Sequence, residues 1–178
     1  NLIRSDNIII DSKSGYSGAG KSFDKSNLFL NENLNFYNYN TNYHRHIPEI
    51  HQELSKITKF DVKFSFNPHI LPIFRGMMST IYCDLNHNVK IKDINDLLNN
   101  FYSNSKFVEN IPNKNFDFFN IQNTNNCYLK TFDHYDSSKI IIVSLIDNLL
   151  KGASGQAIQC MNIMYKFEET LGLDFLQK

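Results

Sequence analysis

SKSGYSGAGKS, Ser12 to Ser22, stands directly after the apolar run Ile8, Ile9 and Ile10, and Gly15, Gly18 and Gly20 crowd into it. Closely spaced glycines let backbone N–H groups point into one concavity with no Cβ in the way, and such a nest attracts phosphate or an oxyanion. Lys21 adds a point charge. Read literally, Gly15, Gly20, Lys21 and Ser22 satisfy G-x-x-x-x-G-K-[ST], the nucleotide-cradling P-loop pattern. A P-loop opens a helix whose dipole adds to the phosphate site. The residues after Ser22, FDKSNLFLNENLNFYNYNTNY, are rich in Asn, Tyr and Phe, and their leucines keep no sustained helical register. Ile140 to Asp147, IIIVSLID, would suit the metal-holding strand of a nucleotide hydrolase, so that reading stands beside a plain glycine turn and an anion-holding loop of another kind. The context favours the last.

Outward from this loop, 178 residues with 42% hydrophobic content suit one domain with a real core. Lys+Arg 18 against Asp+Glu 18 gives zero formal charge with no long basic run, which argues against nucleic acid as a partner. No run reaches bilayer length and no charged-then-apolar leader opens the chain, so a soluble protein without membrane contact is expected. Cys83, Cys127 and Cys160 are odd in number and far apart with no C-x-x-C, which fits a reducing, cytoplasmic compartment better than a disulfide framework or a zinc knuckle. The chain opens on Asn1 and enters its first strand within a few residues, which reads as a piece of something longer.

Asn7 to Asp11 reads as a short buried strand, and Asn27 to Tyr43 as extended structure or a long loop. Pro48 at a first helical turn, with Ile50, Leu54 and Ile57 following, predicts a helix from Pro48 to Ile57. Phe60 to Asn67 alternates as a half-buried strand should, with Phe60, Val62, Phe64 and Phe66 on one face, and is expected to end at Pro68. Met77 to Leu85 is a second strand, and Asp93 to Tyr102 a helix with Ile94, Leu97, Leu98 and Phe101 inward. A long Asn-rich connection runs from Pro112 to Asn126. Cys127 to Phe132 and Lys139 to Ile146 then form a hairpin over the turn DHYDSS. A last helix, Ser154 to Glu168, puts Ala157, Met161, Met164 and Tyr165 on one face. Hairpins without regular β-α-β alternation favour an α+β fold: a mixed, largely antiparallel sheet with helices packed on one side.

Two further clusters carry chemistry. His44, Arg45 and His46 precede the Pro48 helix; an imidazole is the usual acid or base near neutral pH, and a guanidinium holds carboxylate or phosphate bidentately. A histidine pair on a loop can equally be surface structure. Asp147 to Ser154, DNLLKGAS, joins the last strand to the last helix, and its Asn148 can donate to and accept from a carboxamide. His69 and Arg75 flank a Pro-rich bend, where structural and functional readings both stand. His44, His46, His51 and His69 have no carboxylate or thiolate at a recognisable metal spacing, so no metal is expected.

SGYSGAGK, HRHIPEI, FNPHILPIFRGM and IDNLLKGASGQAIQCMN, in this order, resemble the motifs of the C-terminal portion of the N-acetyl-γ-glutamyl-phosphate reductase family of arginine biosynthesis. The resemblance runs from Ser12 to Leu173 and implies a fold like the C-terminal domain of glyceraldehyde-phosphate and aspartate-semialdehyde dehydrogenases. It implies an acyl-phosphate substrate, NADP(H), a homo-oligomer, and a cysteine thioester reduced by hydride. It also sets the P-loop reading aside. By motif, His46 would be the acid/base with His44 the alternative. Ser14, Gly15, Ser17, Gly18, Gly20 and Asn148 would line the cofactor side, and Lys21, Arg45 and Arg75 would hold anions.

The family nucleophile lies in a P-G-C-[YF]-P-T-like motif, and none of the three cysteines has such surroundings. The dinucleotide-binding fingerprint is missing as well. Residues 1–178 therefore read as a single substrate-binding and oligomerisation domain of a reductase, with a non-catalytic assembly module of the same fold as the alternative.

Overall fold

The computed structural model describes residues 2–20, 29–30, 33–58, 60–111 and 116–173. Its strands are β1 (Ile3–Gly15), β2 (Phe29–Leu30), β3 (Asn33–Leu34), β4 (Tyr37–Asn38), β5 (Phe64–Leu71), β6 (Met77–Leu85), β7 (Val108–Asn110), β8 (Cys127–Asp133) and β9 (Lys139–Ile146). The helices are α1 (Ile47–Ile57), α2 (Ile91–Phe101), α3 (Phe118–Ile121) and α4 (Gly155–Met164). Seven strands form one sheet in the order β4-β5-β1-β6-β9-β8-β7, with β1/β5 and β7/β8 parallel and the other pairings antiparallel. This is the mixed, largely antiparallel α+β sheet expected.

Directly opposed residues share a face. Ile8, Cys83 and Ile140 align across β1, β6 and β9, as do Ile10, Ile81 and Ile142. These side chains, with Val62, Leu85 and Ile94, make the main core, onto which Leu54 of α1 and Leu98 of α2 pack. The opposite face carries a second row, Ile9, Tyr82, Ile141 and Phe132, across β1, β6, β9 and β8.

Several boundaries differ from those expected. β1 continues well past Asp11 because β5 and β6 flank it on both sides as far as Ser14. β5 does not stop at Pro68 but runs through it to Leu71, while Phe60 lies outside the strand and is 63% exposed. Pro68 is tolerated because its carbonyl faces β4, accepting the Tyr39 N–H at 3.1 Å, so the N–H that proline lacks would also have faced this short edge strand. α2 starts at Ile91, and Asp93 sits at its third position, where the carboxylate accepts the Lys90 N–H at 2.8 Å. Of the α2 residues expected inward, Ile94 is buried, whereas Leu97 and Phe101 are largely exposed.

The last helix departs most. A π turn over Leu150–Ser154 precedes α4, which ends at Met164, and Met161, Met164 and Tyr165 are exposed. α4 buries Gly155, Gln159 and Asn162 instead. A Cβ on Gly155 would stand 2.2 Å from Asn125 Oδ1, Gln159 Oε1 accepts from Asn125 and Lys151, and Asn162 Nδ2 donates to the Glu169 and Leu171 carbonyls. The Asn-rich composition has a local use, since Asn40, Asn42, Asn88 and Asn123 take φ of 48°, 59°, 66° and 64°, a region asparagine tolerates. Among the described residues no helix is long and apolar enough to cross a membrane.

Candidate functional site

The glycine loop leaves β1 at Gly15 and makes a 3-10 turn over Tyr16–Ala19. It is clasped to the β5–β6 turn: the N–H groups of Gly15, Tyr16 and Ser17 donate to the carbonyls of Gly76, Ile73 and Phe74 at 2.8, 3.0 and 3.1 Å. Gly15 is required there, because a Cβ would come within 2.8 Å of Phe74 O and 2.9 Å of Arg75 Cα. The Gly20 N–H is also used internally, on Ser17 O. The anion nest expected from the sequence is therefore not formed by these amides, which are spent on the protein itself. What the loop offers is the exposed backbone of Gly18, whose lack of a Cβ makes room for Ser14 and Asn148, and the hydroxyls of Ser14 and Ser17. Lys21 lies outside the described residues.

Asn148, 9% exposed at the end of β9, joins the parts. Its Oδ1 accepts the Gly76 N–H at 2.6 Å and its Nδ2 donates to Ser17 Oγ at 2.9 Å. A Cβ on Gly18 would meet Ser14 Oγ at 2.9 Å and Asn148 Nδ2 at 3.4 Å. Ser14, Ser17 and Gly18 of one motif and Asn148 of another thus gather at one end of the sheet. Gly76 belongs with them and was visible only as part of the FRGM motif.

Asp147 supports Asn148 from below. Its fully buried carboxylate accepts the N–H groups of Asn123 (2.7 Å), Leu149 (2.9 Å) and Leu150 (3.1 Å). Arg75 Nε stands 3.0 Å from Oδ2, out of line for a directed hydrogen bond, so that contact is an ion pair held by charge. Arg75 Nη1 donates to Asn123 Oδ1 at 2.6 Å. The guanidinium expected to hold an anion is thus engaged by Asp147 and Asn123.

The histidine cluster lies at the start of α1, where His46 is the N-cap residue and Pro48 is in the first turn. His44 rests over Phe66, ring centroids 5.4 Å apart. Phe66 aligns with Ile10, and Ser12 and Ser14 follow on that side of β1, so the histidines and the glycine loop share one face of the sheet. Both His44 nitrogens have neighbours: Nδ1 accepts the His46 N–H at 3.2 Å, and Nε2 stands 3.3 Å from Tyr39 Oη. Burial lowers the His44 pKa, reinforced by His46 and Arg45, so the ring is held neutral with its proton on Nε2. Burial likewise raises the Tyr39 pKa. His46 and Arg45 are exposed.

The cysteines stand apart from this end in chemistry. Burial, with Asp84 beside it, pushes the Cys83 thiol up to about 11. Burial raises Cys127 too, partly offset by the Ser144 hydroxyl 3.6 Å away. Both shifts oppose the thiolate a nucleophile needs. Among the described residues no three His, Cys, Asp or Glu side chains gather as a metal site.

The model of the semialdehyde dehydrogenase dimerisation domain matches residues 1–148. N-acetyl-gamma-glutamyl-phosphate reductase of Clostridium beijerinckii is 42% identical over 176 residues, covering 98% of this chain and 51% of the relative. A probable chloroplastic N-acetyl-gamma-glutamyl-phosphate reductase of Arabidopsis thaliana is 41% identical over 180 residues, covering 97% and 43%. The chain thus spans about half the length of the curated relatives it matches. Among solved structures, aspartate semialdehyde dehydrogenase II of Vibrio cholerae superposes with a TM-score of 0.70 at 15% identity, covering 92% of this chain and 56% of that one, which supports the fold. The mixed sheet, the motifs resembling N-acetyl-γ-glutamyl-phosphate reductase and the matched model agree: this chain belongs to the semialdehyde dehydrogenase dimerisation-domain family.

Proposed function

We propose that the full-length protein is a cytoplasmic, NADPH-dependent reductase that converts N-acetylglutamyl 5-phosphate to N-acetylglutamate 5-semialdehyde and phosphate in arginine biosynthesis. This chain is its substrate-binding and oligomerisation domain. The observation that carries the reading is Asn148 bridging Ser17 and Gly76, which draws three of the reductase-like motifs into one cluster.

The residues present fit a nicotinamide. Asn148 spends one amide proton and one lone pair within the protein and keeps one of each, the complement of a carboxamide. Gly18 beside it makes room for the Asn148 and Ser14 side chains, which a Cβ there would crowd. NADPH supplies the hydride when bound. Ser14, Ser17, Gly18 and Asn148 orient it, with Gly15 and Gly20 shaping the loop. His46, exposed beside a histidine held neutral, is the group that takes and returns a proton at the attacking sulfur and the carbonyl oxygen. That sulfur belongs to a cysteine outside this chain, in keeping with the raised thiols of Cys83 and Cys127. Lys21 and Arg45 hold the substrate's anionic groups, and Arg75 braces the β5–β6 turn through Asp147 and Asn123.

The reaction balances as acyl phosphate, NADPH and a proton giving aldehyde, NADP⁺ and phosphate. The apolar row on the sheet face opposite the core, where Ile9 is 44%, Tyr82 37% and Phe132 40% exposed, supports self-association through that face. Three free cysteines suit a reducing compartment. The test is NADPH oxidation by the full-length protein with the acyl phosphate, where no oxidation above the enzyme-free rate would refute the reading.

A further inference from the structure

The chain that leads from Asn148 into α4 does not take the α form at once. Over Leu150–Ser154 it makes a π turn, in which the Gly152 and Ser154 N–H groups reach back to the Asp147 and Leu149 carbonyls at 3.0 and 3.1 Å. Such turns are rare and are found chiefly beside functional sites. This one lies directly against Asn148: a Cβ on Gly152 would stand 3.6 Å from Asp147 O and 3.7 Å from Asn148 Cβ. Where the turn sits therefore decides where the Asn148 side chain starts from.

Lys151, the residue before Gly152, ties the turn to the rest of the fold. It is partly buried, its ammonium donates to Gln159 Oε1 at 2.7 Å, and it lies 5.5 Å from the centre of the Phe107 ring. Gln159 is 7% exposed and its amide is fully committed: Oε1 also accepts from Asn125 Nδ2 at 3.1 Å, and Nε2 donates to Glu169 Oε1 at 2.7 Å. The Lys151 charge thus meets the Glu169 carboxylate through a single amide. Burial lowers the Lys151 pKa, against smaller raising effects of Cys127, Glu169 and Cys160. A long apolar side chain would cover Phe107 without the cost of burying a charge, so what the ammonium adds is its directed bond to α4. We propose that Lys151 is a positioning residue for Asn148: bonded to Gln159, it fixes the π turn on α4, and the turn, packed on Asn148 at Gly152, holds the carboxamide in the orientation that meets the nicotinamide. The inference rests on the reading of Asn148 as a nicotinamide contact given above.

The test is steady-state kinetics of the full-length protein, with NADPH and the acyl phosphate each varied. It compares the wild type with Lys151→Met, Lys151→Arg, Gln159→Met and the double variant Lys151→Met/Gln159→Met. Losing the bond should raise the KM for NADPH roughly tenfold in Lys151→Met, with kcat within about twofold of the wild type and the KM for the acyl phosphate unchanged. Lys151→Arg keeps a donor and a cation over the ring and should recover most of the loss. Gln159→Met breaks the same bond from its other end and decides the matter should Lys151→Met not fold. The double variant should be no worse than Gln159→Met alone, since both changes remove one bond. An unchanged KM for NADPH in the folded variants, a larger rise for the acyl phosphate than for NADPH, or single effects that multiply in the double variant would overturn the inference while leaving the reductase reading intact. Failure of the reductase reading is told apart by the wild type, which would then oxidise no NADPH itself.

Discussion

Arg75 Nε lies 3.0 Å from Oδ2 of Asp147, joining the β5–β6 turn to the end of β9. Asp147 is fully buried and also holds the N–H groups of Asn123, Leu149 and Leu150, so its charge is met on every side. Asp147→Asn should remove the countercharge and turn an amide toward donors, at about 3 to 5 kcal/mol of stability. Because Asn148 follows directly, the KM for NADPH should rise in whatever fraction remains folded. Chemical denaturation and steady-state kinetics of the full-length variant check both.

The glycines separate by what surrounds them. Gly15→Ala would press a methyl into the backbone of Phe74 and Arg75, which cannot swing aside, and should cost about 3 kcal/mol or more. Gly20 has φ +83° and ψ −173°, a region essentially reserved for glycine, but nothing within 4 Å, so Gly20→Ala should cost about 1 to 3 kcal/mol of backbone strain alone. Gly18→Val meets a serine hydroxyl that can rotate, so it should weaken cofactor or substrate binding more than stability. Equal affinity in a folded Gly18→Val protein would make the loop purely structural.

Much of this was legible in the residues. β6 and β9 follow the sequence to the residue, because Met77–Leu85 and Lys139–Ile146 are rich in β-branched and apolar residues and are bounded by turn residues. β5 runs through Pro68 against expectation because a proline's tolerance depends on which neighbour its missing N–H would face, a tertiary fact. α4 misled for a different reason: it is anchored by Gln159 and Asn162, while its apolar side chains stay exposed. At the site, the motif resemblance points to Ser14, Ser17, Gly18 and Asn148, and the structure brings these four together. The use of the loop amides could not be read this way, since their acceptors lie on a turn far along the chain.

The histidines should differ in kind. His46→Asn should lower kcat by roughly a hundred to ten thousand fold with little loss of stability, and His44→Asn far less. In the folded state burial lowers the His44 pKa, so as pH falls the unfolded chain binds the proton first. Stability from this group is full above its ordinary pKa of about 6.5 and is lost as pH drops toward the folded value. Melting temperature should therefore fall more steeply between about pH 7.5 and about pH 5 in the wild type than in His44→Asn. A retained rate and unchanged pH profile in folded His46→Asn would move the role to His44.

Tyr82 sits in the middle of the apolar row, opposite Ile9 and Ile141. If copies associate through this face, as proposed above, Tyr82→Glu should place a charge in the contact and shift sedimentation of the full-length protein toward monomer. An unchanged oligomer would place the interface elsewhere.

The most direct measurement is NADPH oxidation by the full-length protein supplied with N-acetylglutamyl phosphate, for the wild type, for Asn148→Ala, and for variants of each cysteine in this chain. Turnover is expected in the wild type, with a marked loss of kcat/KM in Asn148→Ala and rates near wild type for folded Cys83→Val, Cys127→Ala and Cys160→Ser. No turnover in the wild type, or turnover abolished in one of those cysteine variants while it remains folded, would contradict the proposed function.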